Sequence, residues 1–100
     1  MIDQIIEALK KLPPLYATEK DDDPVAKVKL FVPWGAATWY LWEYDSSDKL
    51  AFGYCDLGLG FPEVGYLSLD ELLALRGPGG LQVEQDLHFD SAPLSQLRGA

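Results

Sequence analysis

Thr38-Trp39-Tyr40-Leu41-Trp42-Glu43-Tyr44-Asp45-Ser46-Ser47-Asp48-Lys49-Leu50-Ala51-Phe52-Gly53-Tyr54-Cys55-Asp56 is the stretch on which the fold turns. Thr38 to Asp45 has the aromatic and apolar content of a strand, and so does Lys49 to Asp56. Asp45-Ser46-Ser47-Asp48 supplies a turn between them, because these side chains hydrogen-bond nearby backbone. So short a connection makes an antiparallel hairpin. Strict alternation sends Thr38, Tyr40, Trp42 and Tyr44 to one face and Trp39, Leu41, Glu43 and Asp45 to the other. In the return strand Leu50, Phe52 and Tyr54 alternate against Ala51, Gly53 and Cys55.

Upstream, Val25 to Val32 also has a period of two, with Ala26, Val28, Leu30 and Val32 on one side, and Pro33-Trp34-Gly35 ends it. Before that, Ile2, Ile5, Ile6, Leu9 and Leu12 form one apolar stripe of a helix, with Asp3 and Glu7 early and Lys10 and Lys11 late, as the helix dipole favours. Pro13-Pro14 stops this helix. The stretch from Leu15 through Asp21-Asp22-Asp23 to Pro24 reads as an acidic, solvated loop. Downstream, Gly58 to Pro62 is a glycine-rich connection and Val64 to Leu67 a fourth strand. Ser68-Leu69-Asp70-Glu71 has the pattern of a reciprocal capping box, starting a helix that ends at Gly77-Pro78 through a left-handed glycine. Leu81 to Phe89 reads as a fifth extended segment, and Pro93 to Leu97 as a final helical turn. The expected architecture is one α+β domain over residues 1–100, an antiparallel meander of four to five strands. The N-terminal helix and the second short helix pack on one face of it.

Composition narrows the function classes. The chain has 100 residues, with 8 basic and 16 acidic residues giving a net charge of -8, and this acidity opposes direct binding to nucleic acid. Acidic residues outnumber basic ones in both halves of the chain, and Asp21-Asp22-Asp23 is the only run. One cysteine excludes an internal disulfide and suits a reducing cytoplasm. No apolar run approaches the roughly 20 residues of a bilayer span, and the N-terminal stripe lacks the parts of a secretory signal.

The chemistry-bearing residues do not assemble into a known motif. His88 has Asp86 and Asp90 two residues away on either side, which strand spacing would put on one face, but no nucleophile accompanies them. Cys55 reads as a small buried residue. One cysteine and one histidine leave only carboxylates to complete a zinc site. The aspartate run lacks the alternating ligands, central glycine and distal glutamate of a calcium loop. Gly58-Leu59-Gly60 and Gly77-Pro78-Gly79-Gly80 have the wrong spacing or the wrong order of elements for phosphate binding. No metal and no cofactor is expected.

Leu12-Pro13-Pro14-Leu15-Tyr16-Ala17-Thr18, Asp23-Pro24, Val28-Lys29 and Phe31 together resemble the opening of the domain of unknown function 2958 family. The resemblance continues through Thr38-Trp39-Tyr40, Glu43, Asp45, Gly65-Tyr66, Ser68-Leu69 and Glu71-Leu72. It ends with Gly77-Pro78, Gly80-Leu81 and Val83-Glu84-Gln85-Asp86-Leu87, departing at Gln85, where an arginine is expected. The context it implies is that of small accessory proteins of bacterial plasmids, phages and integrative elements. It implies no activity, cofactor or catalytic residue.

The expected function is therefore a non-enzymatic, cytoplasmic protein-binding domain of a mobile element. The candidate surface is Trp34, Trp39, Tyr40, Trp42 and Tyr44 with Glu43 and Asp45, since exposed aromatic residues dominate interface hot spots. The expected partner is a protein with a basic surface, with no nucleic acid or membrane bound directly, and the chain is a monomer or homodimer. In a narrower version the carboxylates imitate nucleic acid and the domain inhibits a defence system. Two alternatives are a small carboxylate- or metal-dependent hydrolase built on Glu43, Asp45, Glu84, Asp86 and His88, and a structural homodimer subunit.

Overall fold

A computed structural model describes residues 2–99. Helix α1 (Ile2–Lys10) is followed by strands β1 (Val25–Ala26), β2 (Val28–Phe31), β3 (Thr38–Asp45), β4 (Leu50–Asp56) and β5 (Glu63–Ser68). Helix α2 (Leu69–Ala74), a single 3-10 turn at Pro78–Gly80, β6 (Glu84–Gln85), β7 (Ala92–Pro93) and α3 (Leu94–Gly99) complete the chain. The main sheet has the order β5-β4-β3-β2-β6, antiparallel throughout, so β2 to β5 form the expected meander. β1 and β7 pair in a separate two-stranded sheet.

Two apolar clusters cover the two faces of the main sheet. The larger joins Ile5 and Leu9 of α1 and Leu69 and Leu72 of α2 to Val28, Leu30, Trp39, Leu41 and Tyr44. Both helices thus lie on one face, as their apolar stripes require, and each fully buried aliphatic side chain contributes about 1.5–3 kcal/mol. The smaller cluster, on the opposite face, contains Ala26, Trp42, Tyr54 and Leu94, with Tyr40, Phe52, Val64, Phe89 and Leu97 packed against it.

Strict alternation fails at three places. In β3 the register with β4 shifts between Leu41 and Glu43, so Trp42 is the extra residue of a bulge. Trp39 and Leu41 face the α1 side and Trp42 the other, and Tyr44 returns to the α1 side. Tyr44 therefore lies on the face opposite to Tyr40 and Trp42, contrary to the two-residue period. Gly53 opposes Leu41 beside the bulge, and a Cβ there would overlap the Tyr40 carbonyl oxygen. Second, the strand expected from Val25 to Val32 breaks at Lys27, whose amide donates to the Leu41 carbonyl. The break sends Ala26 into the smaller cluster and Val28 into the larger. Third, the segment from Leu81 to Phe89 pairs with β2 through Glu84 and Gln85, with one more backbone bond from the Asp86 amide to the Lys29 carbonyl at 2.9 Å. It then turns, with the Phe89 amide donating to the Asp86 carbonyl and the His88 amide to the Asp86 side chain. That turn removes the shared strand face expected for Asp86, His88 and Asp90.

The helix termini also differ from expectation. Ser68 Oγ accepts from the Glu71 amide at 3.3 Å, which is one arm of the capping box; no Glu71 side-chain bond returns to the Ser68 amide. Gly77 is not left-handed (φ -102°). Its hydrogen is required because a Cβ would run into the Trp34 ring, and Arg76 Nη1 donates to the Leu73 and Leu75 carbonyls at 2.8 and 2.9 Å where α2 ends. The final helical turn extends to Gly99 and is preceded by β7.

Candidate functional site

The residue that organises one side of the smaller cluster is Glu43. It is 3% exposed and is the one buried charged side chain among the described residues. The bulge places it beside Trp42, and its carboxylate accepts from the Tyr16 amide at 2.9 Å and the Thr18 amide at 3.0 Å. The Thr18 hydroxyl donates to the same oxygen as the Thr18 amide. The Tyr44 amide donates to the Pro13 carbonyl at 3.0 Å, fixing the start of the loop. Glu43 thus serves as an anchor for the chain after Pro14. Within that loop Tyr16 is left-handed (φ 71°), a conformation costly for a residue with a side chain.

The other end of the acidic loop is tied to α3. Asp23 accepts from the Ser95 amide and hydroxyl, each at 2.7 Å, and the Leu94 amide donates to the Pro24 carbonyl at 2.9 Å. The Ser95 bonds hold the Asp23 carboxyl below its ordinary pKa, the backbone bond most strongly. Asp23 is therefore structural, whereas Glu19, Asp21 and Asp22 stand exposed above the sheet.

Between this loop, the sheet and α3 lies a cleft of about 370 Å³. One wall is an aromatic row in which Trp42 meets Phe52 edge-on at 5.8 Å and Phe52 meets Tyr66 at 4.7 Å. Tyr16 and Tyr66 are more than half exposed at 63% and 52%. The neighbouring Tyr16 side chain chiefly raises the Tyr66 phenol above its ordinary pKa of 10.0, with burial adding to the shift. Glu19, Asp21 and Asp22 line the acidic rim, and Arg98 lines the α3 side. None of these four charged groups belongs to an ion pair among the described residues. Trp42 is 2% exposed and its indole N–H has no acceptor among the described residues.

This geometry redistributes the sequence candidates. Trp39 and Tyr44 are buried under α1 and α2, and Trp34 is half-buried against Gly77. Tyr40 packs between Tyr54 and Phe89, with Lys29 Nζ 5.6 Å from its ring centre. Asp45 accepts from the Ser47 amide at the hairpin turn. Of the seven, Trp42 and Glu43 are the two that line the cleft. The cleft residues Tyr16, Thr18, Glu19, Asp21, Asp22, Phe52, Tyr66 and Arg98 were not among the candidates. Gly53 was the available signal, since an interior strand glycine often marks a bulge.

The residues proposed for a hydrolase do not meet. Glu43 lines the cleft just described, while Asp86 and His88 line a second one of about 530 Å³ at the β2–β6 edge. There Asp86 pairs with Lys29 at 3.4 Å. Among the described residues no group of three or more histidine, cysteine or acidic side chains is arranged to hold a metal ion. Cys55 is half-buried, and burial pushes its thiol pKa up, with the Glu63 charge adding to the shift.

A model of the family described as protein of unknown function (DUF2958) matches residues 2–98. The chain belongs to this family. No curated protein and no solved structure matches it. In this DUF2958 protein none of the described helices is long and apolar enough to cross a membrane.

Proposed function

We propose that this DUF2958 protein is a non-enzymatic binding module whose cleft receives a basic, extended segment of a protein partner. The observation that carries the reading is the pairing of an aromatic wall with unpaired carboxylates on the rim. Tyr16 and Tyr66 offer exposed rings to a cation, and such contacts contribute about 0.5–1 kcal/mol at exposed sites. Glu19, Asp21 and Asp22 add charge complementarity and raise the encounter rate. The volume suits one or two side chains rather than a folded surface.

A domain of this kind would serve a mobile element as a cytoplasmic accessory protein that engages a host or element-encoded partner. The anti-defence version follows if the partner's basic segment normally contacts nucleic acid. The test is fluorescence anisotropy with a labelled peptide rich in arginine and lysine. Binding should weaken with salt and fall at least about tenfold in a Glu19→Lys, Asp22→Lys double variant. Equal affinity in the wild type and the double variant would overturn the reading.

A further inference from the structure

We propose that this chain forms a two-fold dimer by antiparallel pairing of β5 with β5 of a second copy. β5 is the long free edge of the main sheet, whereas the opposite edge, β6, is two residues long. The bond from the Leu69 amide to the Lys49 carbonyl fixes which β5 groups are free. With the register Leu50↔Ser68, it directs the backbone of Glu63, Gly65 and Leu67 toward β4. Val64, Tyr66 and Ser68 therefore present their amides and carbonyls outward. The missing return arm of the capping box agrees with this, since the Ser68 amide lies on the open side. β5 carries no proline, no lysine and no bulge to protect this edge, and its one charge, Glu63, stands at its first residue.

A second copy fits this edge better than an arbitrary strand because the edge is self-complementary. Outward groups can pair only with outward groups, which permits a two-fold axis through Tyr66 and gives about six backbone hydrogen bonds. In that register Val64 faces Ser68 of the second copy, Gly65 faces Leu67 and Glu63 faces Leu69, so no carboxylate opposes another. The open space beside Gly65 is covered by a leucine, and the two half-exposed Tyr66 rings meet at the axis. Upstream of Glu63, the loop carries Leu59 and Phe61, exposed at 73% and 83%. Antiparallel pairing carries this loop toward α2 of the second copy, where Leu75 is exposed. Tyr66 also lines the cleft, so the dimer would set two clefts side by side. The dimer itself does not depend on what the cleft binds.

Each copy carries a charge of -8, so mutual repulsion opposes the pairing and salt relieves it. Sedimentation equilibrium of the full chain, from micromolar to near-millimolar concentration, should show a reversible dimer. It should tighten severalfold between about 50 and about 500 mM salt, the opposite sign to basic-peptide binding. Val64→Pro removes an outward amide on both copies without removing a bond to β4, and should weaken the dimer by about tenfold or more. Amide exchange provides the measurement that needs no variant. In the wild type, exchange at Val64, Tyr66 and Ser68 should slow with rising protein concentration. A monomer throughout, a dimer unchanged by Val64→Pro in a folded variant, or concentration-independent exchange at these amides would overturn the proposal. Peptide binding that survives in a strictly monomeric protein would leave the cleft reading intact while removing this one.

Discussion

Replacing Glu43 with alanine removes three hydrogen bonds at once, from the Tyr16 amide, the Thr18 amide and the Thr18 hydroxyl. Bonds to a charged acceptor are worth about 1.5–3 kcal/mol each when the donors have no alternative. Here water can reach the loop side, so about 1 kcal/mol per bond is the appropriate loss. Against this, a freed Tyr16 can leave its left-handed conformation and recover about 1 kcal/mol. The net cost is about 2 kcal/mol, a sizeable part of the 5–15 kcal/mol typical of a domain. With a urea dependence of about 1–2 kcal/mol/M, the unfolding midpoint should fall by about 1–2 M. Glu43→Gln keeps an acceptor oxygen and should lose about half as much. Amide exchange at Tyr16 and Thr18 should accelerate far more than exchange in β4. A Glu43→Ala midpoint within about 0.3 M of wild type, or a loss not localised to the loop, would refute the anchoring role.

Gly53→Ala should destabilise by more than about 3 kcal/mol by chemical denaturation, because the new methyl overlaps the Tyr40 carbonyl and the bulge leaves it no space. Gly77→Ala should cost less, about 1–3 kcal/mol, since the Trp34 ring can shift, and a changed tryptophan emission should report it. The lowered Asp23 pKa means that its stabilising bonds to Ser95 are present above the unfolded value of about 3.8 and fade as pH falls through the lower folded value. Acidification from pH 5 to pH 3 should therefore loosen α3 in the wild type more than in Asp23→Asn, as read by exchange at Leu94 and Ser95. The raised Cys55 pKa predicts native-state alkylation several times slower than that of the unfolded chain at the same pH.

The hairpin, the meander and the placement of α1 and α2 on one face were legible in the sequence. In each, residues near one another in the chain carry the periodicity. The Trp42 bulge was not, and with it went the correct face of Tyr44 and the role of Glu43. A bulge is decided by contacts between distant segments, here the close approach at Gly53 and the bonds from Glu43 to residues 25 and 27 positions earlier. The acidic run read as one solvated loop. The structure divides it, with Asp23 capping the start of α3 and its neighbours on the cleft rim. Leu81 to Phe89 alternates well enough for a strand, yet the Asp86 side chain captures the His88 amide and turns the chain. The aromatic richness of β3 was visible, but most of those rings fill the two thin cores, leaving Trp42 with Phe52 and Tyr66 to wall the cleft.

Two-dimensional amide spectra, recorded while the protein is titrated with an arginine- and lysine-rich peptide, test the cleft most directly. Shifts should concentrate at Tyr16 to Pro24, at Phe52 and Tyr66, at Leu94 to Arg98 and at the Trp42 indole N–H. Shifts centred instead on Lys29, Asp86 and His88, or spread evenly over every exposed carboxylate, would contradict the account.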